Sequence, residues 1–411
     1  MSYLDNGTIK LGIDLSIGGS ITYLGPSGKD VNLINSHDWG RQIQMSFYGG
    51  PNPYIVGDKK PKPSWAFLGW NPIQSGDCYG KRAKVLEHQN DGKMLYVKCI
   101  PMQWPMDDVP GECTFECWIT LDKNTAAVRS RINNDRGDKT QYAARNQECP
   151  AVYTNGPWWR LMTYTGDKPF SNDKLTQIEA KFPWSGYRAN ECWSALVDDN
   201  DWGLGLWNEG VYSTTGGFAG KPGKGGPKDD PTGYFAPLTQ TILDHNIQHE
   251  YRYVLILGKL EEIRSYVYDH AKRPAPPKYV FATSRAGWTY HGLKDTGWPI
   301  AGELCVLLQV KNGTMAGPQD LWPAEAAPKL RIHAAFDTTQ TNLRVRFSRL
   351  AGDSGPGLPL NVTADGQYRI YEVDLSNAKE YQGLITSVRI DLPGAKRDGE
   401  TVKVKWIELA P

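Results

Sequence analysis

The sequence predicts an all-β protein built from a large antiparallel β-sandwich followed by a smaller one. Two observations lead to this fold class. Short segments in which apolar and polar residues alternate recur along most of the chain, as in half-buried strands. The 43 Gly, 28 Pro, 15 Trp and 21 Tyr add many turn formers and many residues that favour strands.

The first predicted strand is "IKLGIDLSI", residues 9–17, where an aliphatic residue occupies every second position. A Gly-Gly pair separates it from "SITYL", and the turn-forming "GPSGKD" follows. Further strands predicted in this part are "MLYVKCI", "CTFECWITL", "AAVRSRIN", "WGLGLW" and "EYRYVLILG". The only helix that we expect is a short one at "KLEEIRSYVYDHA", where Tyr266 and His270 are one turn apart.

A change of composition near residue 271 predicts a domain boundary. The segment "AKRPAPPK" is rich in proline and has little capacity for regular structure. We therefore expect a catalytic β-sandwich domain over residues 1–270, a linker over 271–278 and a second domain over 279–411. The strands predicted in the second domain are "KLRIHAAF", "NLRVRFSRL", "YRIYEVDL", "ITSVRIDL" and "VKVKWIEL".

Charge and hydropathy exclude several classes of partner. The 46 basic and 45 acidic residues give a net charge of +1, which argues against a protein that binds nucleic acid or an anionic membrane surface. No apolar run is long enough for a membrane-spanning helix, so we expect no membrane insertion. The oligomeric state is not predicted by any of these features.

Cysteine and histidine positions give no ligand set for a metal, and no cofactor is expected. The seven Cys lack zinc-like spacing and the density of a disulfide scaffold, so we predict that most are buried thiols. His245 and His249 are four residues apart, but the segment leads into a strand, which favours a polar loop over a metal pair. A long loop over residues 214–233 contains "GKGG", yet it lacks the Ser or Thr and the following helix of a phosphate-binding loop.

The stretch "INSHDWGRQIQMSFYGGP", residues 34–51, predicts a strand that enters a functional site. Ile43, Met45 and Phe47 alternate along it and would face the core. The polar residues that would then face a cleft are His37, Asp38, Arg41, Gln42, Gln44, Ser46 and Tyr48.

Other strands combine aromatic and acidic side chains on one face. In "ECTFECWITL", Glu116 and Trp118 share the side opposite Phe115 and Cys117. Sugars suit such surfaces, because indole and phenol rings pack on their C–H faces while acids, amides and guanidinium groups bind their hydroxyls. A solvated outer face with scattered aromatics is the alternative interpretation.

A second candidate constellation lies in "YAARNQECPAVYTNGPWWR", residues 142–160. Glu148 stands beside Cys149 and Pro150, which predicts partial desolvation of its carboxyl group. Desolvation raises the pKa of a carboxyl group, as a general acid requires. The other candidate residues in this segment are Arg145, Tyr153, Trp158 and Trp159.

The residues up to about 270 resemble the galactose-mutarotase-like sandwich in the opening pattern "NGTIKLGIDLSIGGSITYLGPSGKDVNLINSHDWGRQ". The resemblance implies a large supersandwich that binds carbohydrate on the concave face of one sheet. On this chain it implies that the cleft residues are His37, Arg41, Gln42, Glu116 and Glu148. The His pair and late Glu of the epimerases have no clear counterpart, so simple mutarotation is not what we expect.

The last part of the chain is similar to carbohydrate-binding jelly-roll modules. The similar stretch is "YRIYEVDLSNAKEYQGLITSVRIDLPGAKRDGETVKVKWIEL", with its strand, loop, "ITSVRID" strand, Gly turn and final strand. The resemblance implies either glycan binding or a bracing role for residues 279–411.

We therefore expect a secreted or periplasmic carbohydrate-active enzyme, with a polysaccharide or oligosaccharide as its substrate. A glycoside hydrolase would use Glu148 as the acid and Glu116 or Asp38 as the second carboxylate. Arg41 and Gln42 would hold polar substrate groups, and the rings expected to stack on sugars are Trp118, Trp158 and Trp159. The first alternative is a polysaccharide lyase, with roles for Tyr48, Tyr153, His37 and Arg145. The second is a noncatalytic glycan-binding protein.

Overall fold

The computed structural model describes residues 1–352 and 356–411, which form two compact units. The first contains Met1–Thr239 and His245–Lys272, and the second contains Gln240–Asp244 and Arg273–Pro411. The chain thus passes between the units after Lys272, within the segment expected to be a linker. The second unit also takes in the five residues Gln240–Asp244, which lie between the two segments of the first unit.

The first unit is built almost entirely from strands. In chain order they are β1 Ser2–Asp5, β2 Ile9–Asp14, β3 Ser20–Pro26, β4 Ile43–Ser46, β5 Pro72–Ile73, β6 Lys84–Asn90, β7 Met94–Ile100, β8 Met102–Gln103, β9 Cys113–Asp122, β10 Thr125–Asn134, β11 Arg145–Asn155, β12 Arg160–Thr163, β13 Thr176–Ile178, β14 Ser185–Arg188, β15 Trp193–Val197, β16 Trp202–Trp207, β17 Ser213–Ala219, β18 Thr232–Thr241 and β19 Gln248–Lys259. The helix α1 spans Leu260–His270, as expected, and a 3-10 helix spans Pro63–Leu68.

These strands form two sheets. The ten-stranded sheet has the order β1-β2-β3-β4-β11-β18-β17-β14, with β5 paired to β4 and β8 to β5. The nine-stranded sheet has the order β13-β12-β15-β16-β19-β10-β9-β7-β6. Phe47, at the end of β4, packs against Phe115 of β9 and Tyr251 of β19 at ring-centroid distances of 5.4 and 6.2 Å. The core therefore lies between the two sheets, and each sheet has an inner and an outer face.

The alternation predicted from the sequence is visible in the packing. Along β9, Phe115, Cys117 and Ile119 are buried, whereas Glu116 and Trp118 are only half-buried. Five of the seven cysteines are buried, the other two are half-buried and all seven are free thiols, in agreement with the prediction. The long loop expected over residues 214–233 is shorter, because β17 and β18 occupy its two ends.

Helix α1 covers part of the outer face of the nine-stranded sheet. Ile263 and Val267 are fully buried against Trp193, Ala195 and Ile256 of β15 and β19. None of the helices in the described ranges has the length and apolarity needed to cross a membrane.

The second unit contains the remaining strands. They are β20 Lys278–Val280, β21 Thr289–His291, β22 Lys294–Asp295, β23 Leu304–Leu307, β24 Gly313–Ala316, β25 Trp322–Pro323, β26 Lys329–Asp337, β27 Asn342–Arg349, β28 Leu358–Asn361, β29 Arg369–Asp374, β30 Leu384–Leu392 and β31 Thr401–Ala410. Two further 3-10 helices span Ala324–Ala326 and Leu375–Asn377.

These strands also form two sheets. The β31 sheet has the order β22-β23-β31-β26-β29, with β20 paired to β31. The β30 sheet has the order β21-β24-β30-β27-β28, with β25 paired to β30. The paired strands in the described part of the chain are antiparallel in both units. The predicted all-β fold with antiparallel sandwiches is confirmed.

One core residue makes stability depend on pH. The ring of His249 meets Phe47 edge-on at 6.1 Å, and its Nε2 atom is shielded from solvent although the residue as a whole is half-buried. Burial lowers the pKa of His249 from 6.5 to about 4. The unfolded chain therefore binds more protons than the folded chain between these two pH values.

We expect the free energy of unfolding to fall as the pH falls through this window, by on the order of 2–3 kcal/mol from this residue. His249→Phe should remove that part of the dependence, because the variant has no titrating group in the core. Urea unfolding at pH 7.5 and pH 4.5 measures the difference. An equal loss of stability in both proteins would contradict the assignment.

Candidate active site on the outer face of the ten-stranded sheet

Glu148 lies at the centre of the outer face of the ten-stranded sheet. It is opposite Ser46 in the pairing of β11 with β4, and Ser46 alternates with the core residues Met45 and Phe47. The register shifts between Glu148 and Ala151, which is a bulge. Because a bulge changes which residues point to each face, Glu148, Ala151 and Tyr153 all lie on the outer side.

The side chain of Glu148 is half-buried, and hydroxyl groups hold its carboxyl group. Tyr234 Oη donates a hydrogen bond of 2.7 Å to Glu148 Oε1. Burial raises the pKa of Glu148, and hydrogen bonds from Tyr234, Tyr48 and Ser46 oppose that rise. The net rise favours a carboxyl group that carries a proton at higher pH than an exposed glutamate does, as a general acid requires.

Aromatic rings surround this carboxyl group. The ring of Tyr234 lies 4.7 Å from that of Tyr153 and 4.8 Å from that of Trp184. Ala151, Ala236 and Leu238 pack beneath these rings. Phe182, 64 % exposed, meets Trp184 edge-on at 4.8 Å. Tyr234 is fully buried, whereas the rings of Tyr153 and Trp184 are half-buried. An acid beside such partly open rings can bind a sugar by both its C–H faces and its hydroxyl rim.

The surrounding tyrosines stay protonated. Burial, and then the charge of Glu148, raises the pKa of Tyr48, Tyr153 and Tyr234 well above the usual value. Their hydroxyl groups are therefore hydrogen-bond donors near neutral pH. Those of Tyr48 and Tyr234 favour the ionised form of Glu148, and such a hydroxyl group can also donate to an oxygen atom of a ligand.

Replacing Tyr234 by Phe tests this arrangement. The variant keeps the ring contacts and removes a hydrogen bond that favours the ionised carboxyl group, so we expect the pKa of Glu148 to rise further. If Glu148 acts as an acid, activity is lost as the pH rises through its pKa. The alkaline limb of the kcat profile should then move to higher pH in Tyr234→Phe. A limb that stays in place would show that this bond does not tune the catalytic acid.

A glycine lets the loop that carries Trp184 lie on the sheet. Gly217 of β17 is opposite Tyr234, and the Phe218 amide donates a 3.2 Å hydrogen bond to the Lys181 carbonyl. A β-carbon on Gly217 would come within 2.3 Å of that carbonyl oxygen and 3.3 Å of the Trp184 ring. Any larger residue must therefore displace the loop.

Gly217→Val should move Trp184 away from Tyr234. We expect KM to rise on the order of tenfold, since an aromatic contact of this kind contributes about 0.5–1.5 kcal/mol. Gly186→Val on the neighbouring β14 is the matched control, because no atom lies within 4 Å of its added β-carbon. Equal KM values in the two variants would contradict a binding role for Trp184.

A charged rim adjoins the aromatic ring cluster at Tyr153. The charges of Asp38 and Arg41, like that of Glu148, act on the Tyr153 hydroxyl. Arg41 Nε lies 3.3 Å from Asp38 Oδ2, and Arg41 Nη2 lies 2.8 Å from Asp230 Oδ1. His37 is on the same loop, with Nε2 4.0 Å from Asp230 and Nδ1 2.9 Å from the Lys228 carbonyl. The structure thus brings predicted site residues from β11 and the β3–β4 connection to one face.

Arg145 borders the site through Tyr48. Its guanidinium carbon is 5.7 Å from the Tyr48 ring centre, and Nη1 donates to the carbonyl groups of Leu68 and Gly49. Burial lowers the pKa of Arg145. Because the guanidinium group already donates to backbone carbonyl groups, fewer of its N–H groups are left to bind a substrate.

Gln42 does not reach a substrate, contrary to expectation. Its side chain is fully buried, with Nε2 donating to the Asp38 carbonyl and Oε1 accepting from Ser75 Oγ and Gln44 Nε2. The role that these contacts support is to position the loop that carries Asp38 and Arg41.

Glu116 cannot pair with Glu148. It alternates with Phe115, which packs against Phe47 in the core, so it lies on the outer face of the other sheet. The two carboxyl groups are thus on opposite sides of the sandwich. Glu116 accepts a 2.9 Å hydrogen bond from Tyr96 Oη and one of 2.7 Å from Asn133 Nδ2.

The three tryptophans predicted to stack on sugars have other neighbours than Glu148 in the structure. Trp118 is on the Glu116 face, between Tyr96 on β7, with centroids 5.1 Å apart, and Arg129 on β10, 3.7 Å from the ring centre. Its ring is half-buried and lines a groove together with Trp207 and Glu209. Trp158 is buried beside Trp202, and Trp159 Nε1 donates to Asp199 in the β15–β16 turn.

Two residues of the candidate site were not predicted from the sequence. Tyr234 and Trp184 approach Glu148 through pairing between distant strands, and no local motif marks them. The alternation in "TGYFAPL", with Tyr234, Ala236 and Leu238 on one side, is the signal that could have identified β18 and its outward face.

Comparison with known proteins gives a remote similarity in structure alone. No protein-family model matches the chain, and no curated protein matches it. A galactose mutarotase-like protein from Lactobacillus casei ATCC 334 has a TM-score of 0.38 and 13 % identity, covering 62 % of this chain and 99 % of its own. A galactose mutarotase related enzyme from Lactobacillus acidophilus has 0.37 and 13 %, covering 62 % and 96 %. A GH36 alpha-galactosidase from Geobacillus stearothermophilus has 0.35 and 8 %, covering 63 % and 40 %. At such values, the function has to be argued from the residues of this chain.

Proposed function

We propose that this protein is a carbohydrate-active enzyme, most directly a glycoside hydrolase, in which Glu148 is the general acid. The observation that carries the proposal is the position of Glu148 beside the aromatic side chains of Tyr153, Tyr234 and Trp184. Burial raises the pKa of its carboxyl group there. Sugar rings suit the aromatic surfaces, and a protonated carboxyl group suits the glycosidic oxygen.

In this reaction Glu148 donates its proton to the oxygen of the leaving sugar as the bond to the anomeric carbon breaks. Water adds to that carbon and loses a proton to a second carboxylate. Asp38 is the candidate for the second carboxylate, since Glu116 is on the other side of the sandwich. Asp38 is 46 % exposed, and its Oδ2 atom lies 3.3 Å from Arg41 Nε.

A polysaccharide lyase is the second candidate. Tyr48 and Tyr153 lie near Glu148, and the Arg145 guanidinium is close to Tyr48, as a uronate site with a tyrosine base would require. Two observations weigh against it. The pKa of both tyrosines is raised, which makes a tyrosinate base costly, and Arg145 is bonded to backbone carbonyls.

Incubation with neutral and uronate-containing polysaccharides tests the proposal. Reducing ends and the ultraviolet absorbance of a new carbon–carbon double bond are followed together. Reducing ends without that absorbance support hydrolysis, whereas both signals together would replace it with elimination. Ligand binding without any product, unchanged in Glu148→Gln, would instead identify a noncatalytic glycan-binding protein.

A polymeric substrate also leads us to propose a secreted or periplasmic location. Cell fractionation of the native source organism, with detection of this chain by antibody, is the test. Recovery of the chain only with the cytoplasmic fraction would contradict this part of the proposal.

A further inference from the structure

A row of polar side chains crosses four strands of the β30 sheet in the second unit. His291 of β21 is opposite Thr314 of β24, which is opposite Asp391 of β30, which in turn is opposite Arg344 of β27. Side chains that are directly opposite on antiparallel strands lie next to one another. The row is therefore a continuous polar strip.

This strip is on the outer face of the sheet. The residues that precede or follow its members along the strands are buried hydrophobics. They are Tyr290, Met315, Ile390, Leu392, Leu343 and Val345. Since side chains alternate along a strand, the polar strip points away from the core.

The strip forms the floor of a groove of about 610 Å³. Asn312, Asn342 and Arg346 line it together with the residues of the row. Its described lining has no Phe, Tyr or Trp, in contrast to the Glu148 site. The groove can therefore bind a ligand through hydrogen bonds and charge.

The described lining of the groove has two arginines, Arg344 and Arg346, and one carboxylate, that of Asp391. Asp391 is already occupied, because Oδ1 accepts from Thr314 Oγ1 at 3.0 Å and Oδ2 from Arg346 Nε at 2.5 Å. The exposed Arg344 donates from Nη1 to the Gly357 carbonyl at 3.1 Å, and no carboxylate of residues 1–352 or 356–411 forms an ion pair with it. One guanidinium group therefore faces the groove without an ion pair in that part of the chain, because the carboxylate opposite it, that of Asp391, is paired with Arg346.

We propose that this groove binds an anionic saccharide through the carboxylate or sulfate group of one sugar. The planar guanidinium of Arg344 suits either group, and Asn312, Asn342 and Thr314 suit neighbouring hydroxyls. The saccharide part of the inference rests on the proposed function of the first unit, and the anion part rests on the groove alone.

Calorimetric titration of the full-length chain tests the inference, with polygalacturonate, chondroitin sulfate and a neutral galactan as probes. We expect binding of at least one acidic polymer, and a loss of tenfold or more in Arg344→Gln. Arg331→Gln is the matched control, since Arg331 is an arginine of the β31 sheet that pairs with Glu372. It should bind like the wild type.

Three results would overturn the inference. The first is unchanged affinity in Arg344→Gln, and the second is an affinity for the neutral galactan equal to that for the acidic polymer. The third is that free sulfate binds as tightly as the acidic polymer does when both are counted per anionic group. The proposed function fails separately, because it requires turnover that depends on Glu148. Glu148→Gln should retain binding in the groove, and Arg344→Gln should retain turnover of a short neutral substrate.

Discussion

Glu148→Gln is expected to lower kcat by about 10²–10⁴-fold, the range that loss of a general acid produces. Glutamine has nearly the shape of glutamate and can still accept the hydrogen bond from Tyr234, but it cannot deliver a proton. The same change should remove the alkaline limb that Glu148 imposes on the pH profile. Steady-state kinetics on whichever substrate the wild type converts give both values.

Glu116→Gln is the matched control for this variant. Both glutamates are half-buried and accept a hydrogen bond from a tyrosine, yet they lie on opposite outer faces of the sandwich. We expect Glu116→Gln to keep near wild-type kcat. Full activity in Glu148→Gln, or equal losses in both variants, would contradict the assignment of the acid.

Glu191→Ala is expected to lower the free energy of unfolding by about 3–5 kcal/mol, as loss of one member of a buried ion pair does. Glu191 is fully buried, and it accepts hydrogen bonds from Arg264 Nη2 at 2.9 Å, Tyr268 Oη at 2.7 Å and Trp193 Nε1 at 3.0 Å. Removing the carboxylate leaves Arg264, 11 % exposed, without that charge partner. Urea unfolding measures the loss.

An exposed ion pair in the same unit provides the comparison. Glu87 Oε1 lies 3.3 Å from Lys98 Nζ, and Glu87 is 52 % exposed. Solvent screens such a pair, so Glu87→Ala should be far less destabilising than Glu191→Ala. Similar losses in the two variants would show that Glu191 does not connect α1 to the sheet in the way described.

Much of the fold could be predicted because alternation is a local property. The segment "MLYVKCI" coincides with β7, and the helix predicted at "KLEEIRSYVYDHA" differs from α1 by one residue at each end. Alternation also identified the inward residues Ile43, Met45 and Phe47. What it cannot predict is the sheet to which a strand belongs, because strand order depends on pairing between distant segments.

The candidate site shows that limit most clearly. The neighbours of Glu148 in the sequence predict that its carboxyl group is partly desolvated, and burial raises its pKa in the structure. Glu116 was paired with it because both strands combine acids and aromatics, but β9 and β11 belong to different sheets. Tyr234 and Trp184 complete the site through β18 and through the loop that Gly217 admits, contacts that no local pattern contains.

The location of a bound saccharide tests the central claim most directly. A crystal structure of Glu148→Gln, soaked with an oligosaccharide that the wild type converts, would show it. We predict a sugar ring against Trp184 or Tyr153, with the reacting oxygen within hydrogen-bonding distance of residue 148. A sugar bound only on the opposite face, beside Trp118 and Glu116, would contradict the assignment of this face as the active site.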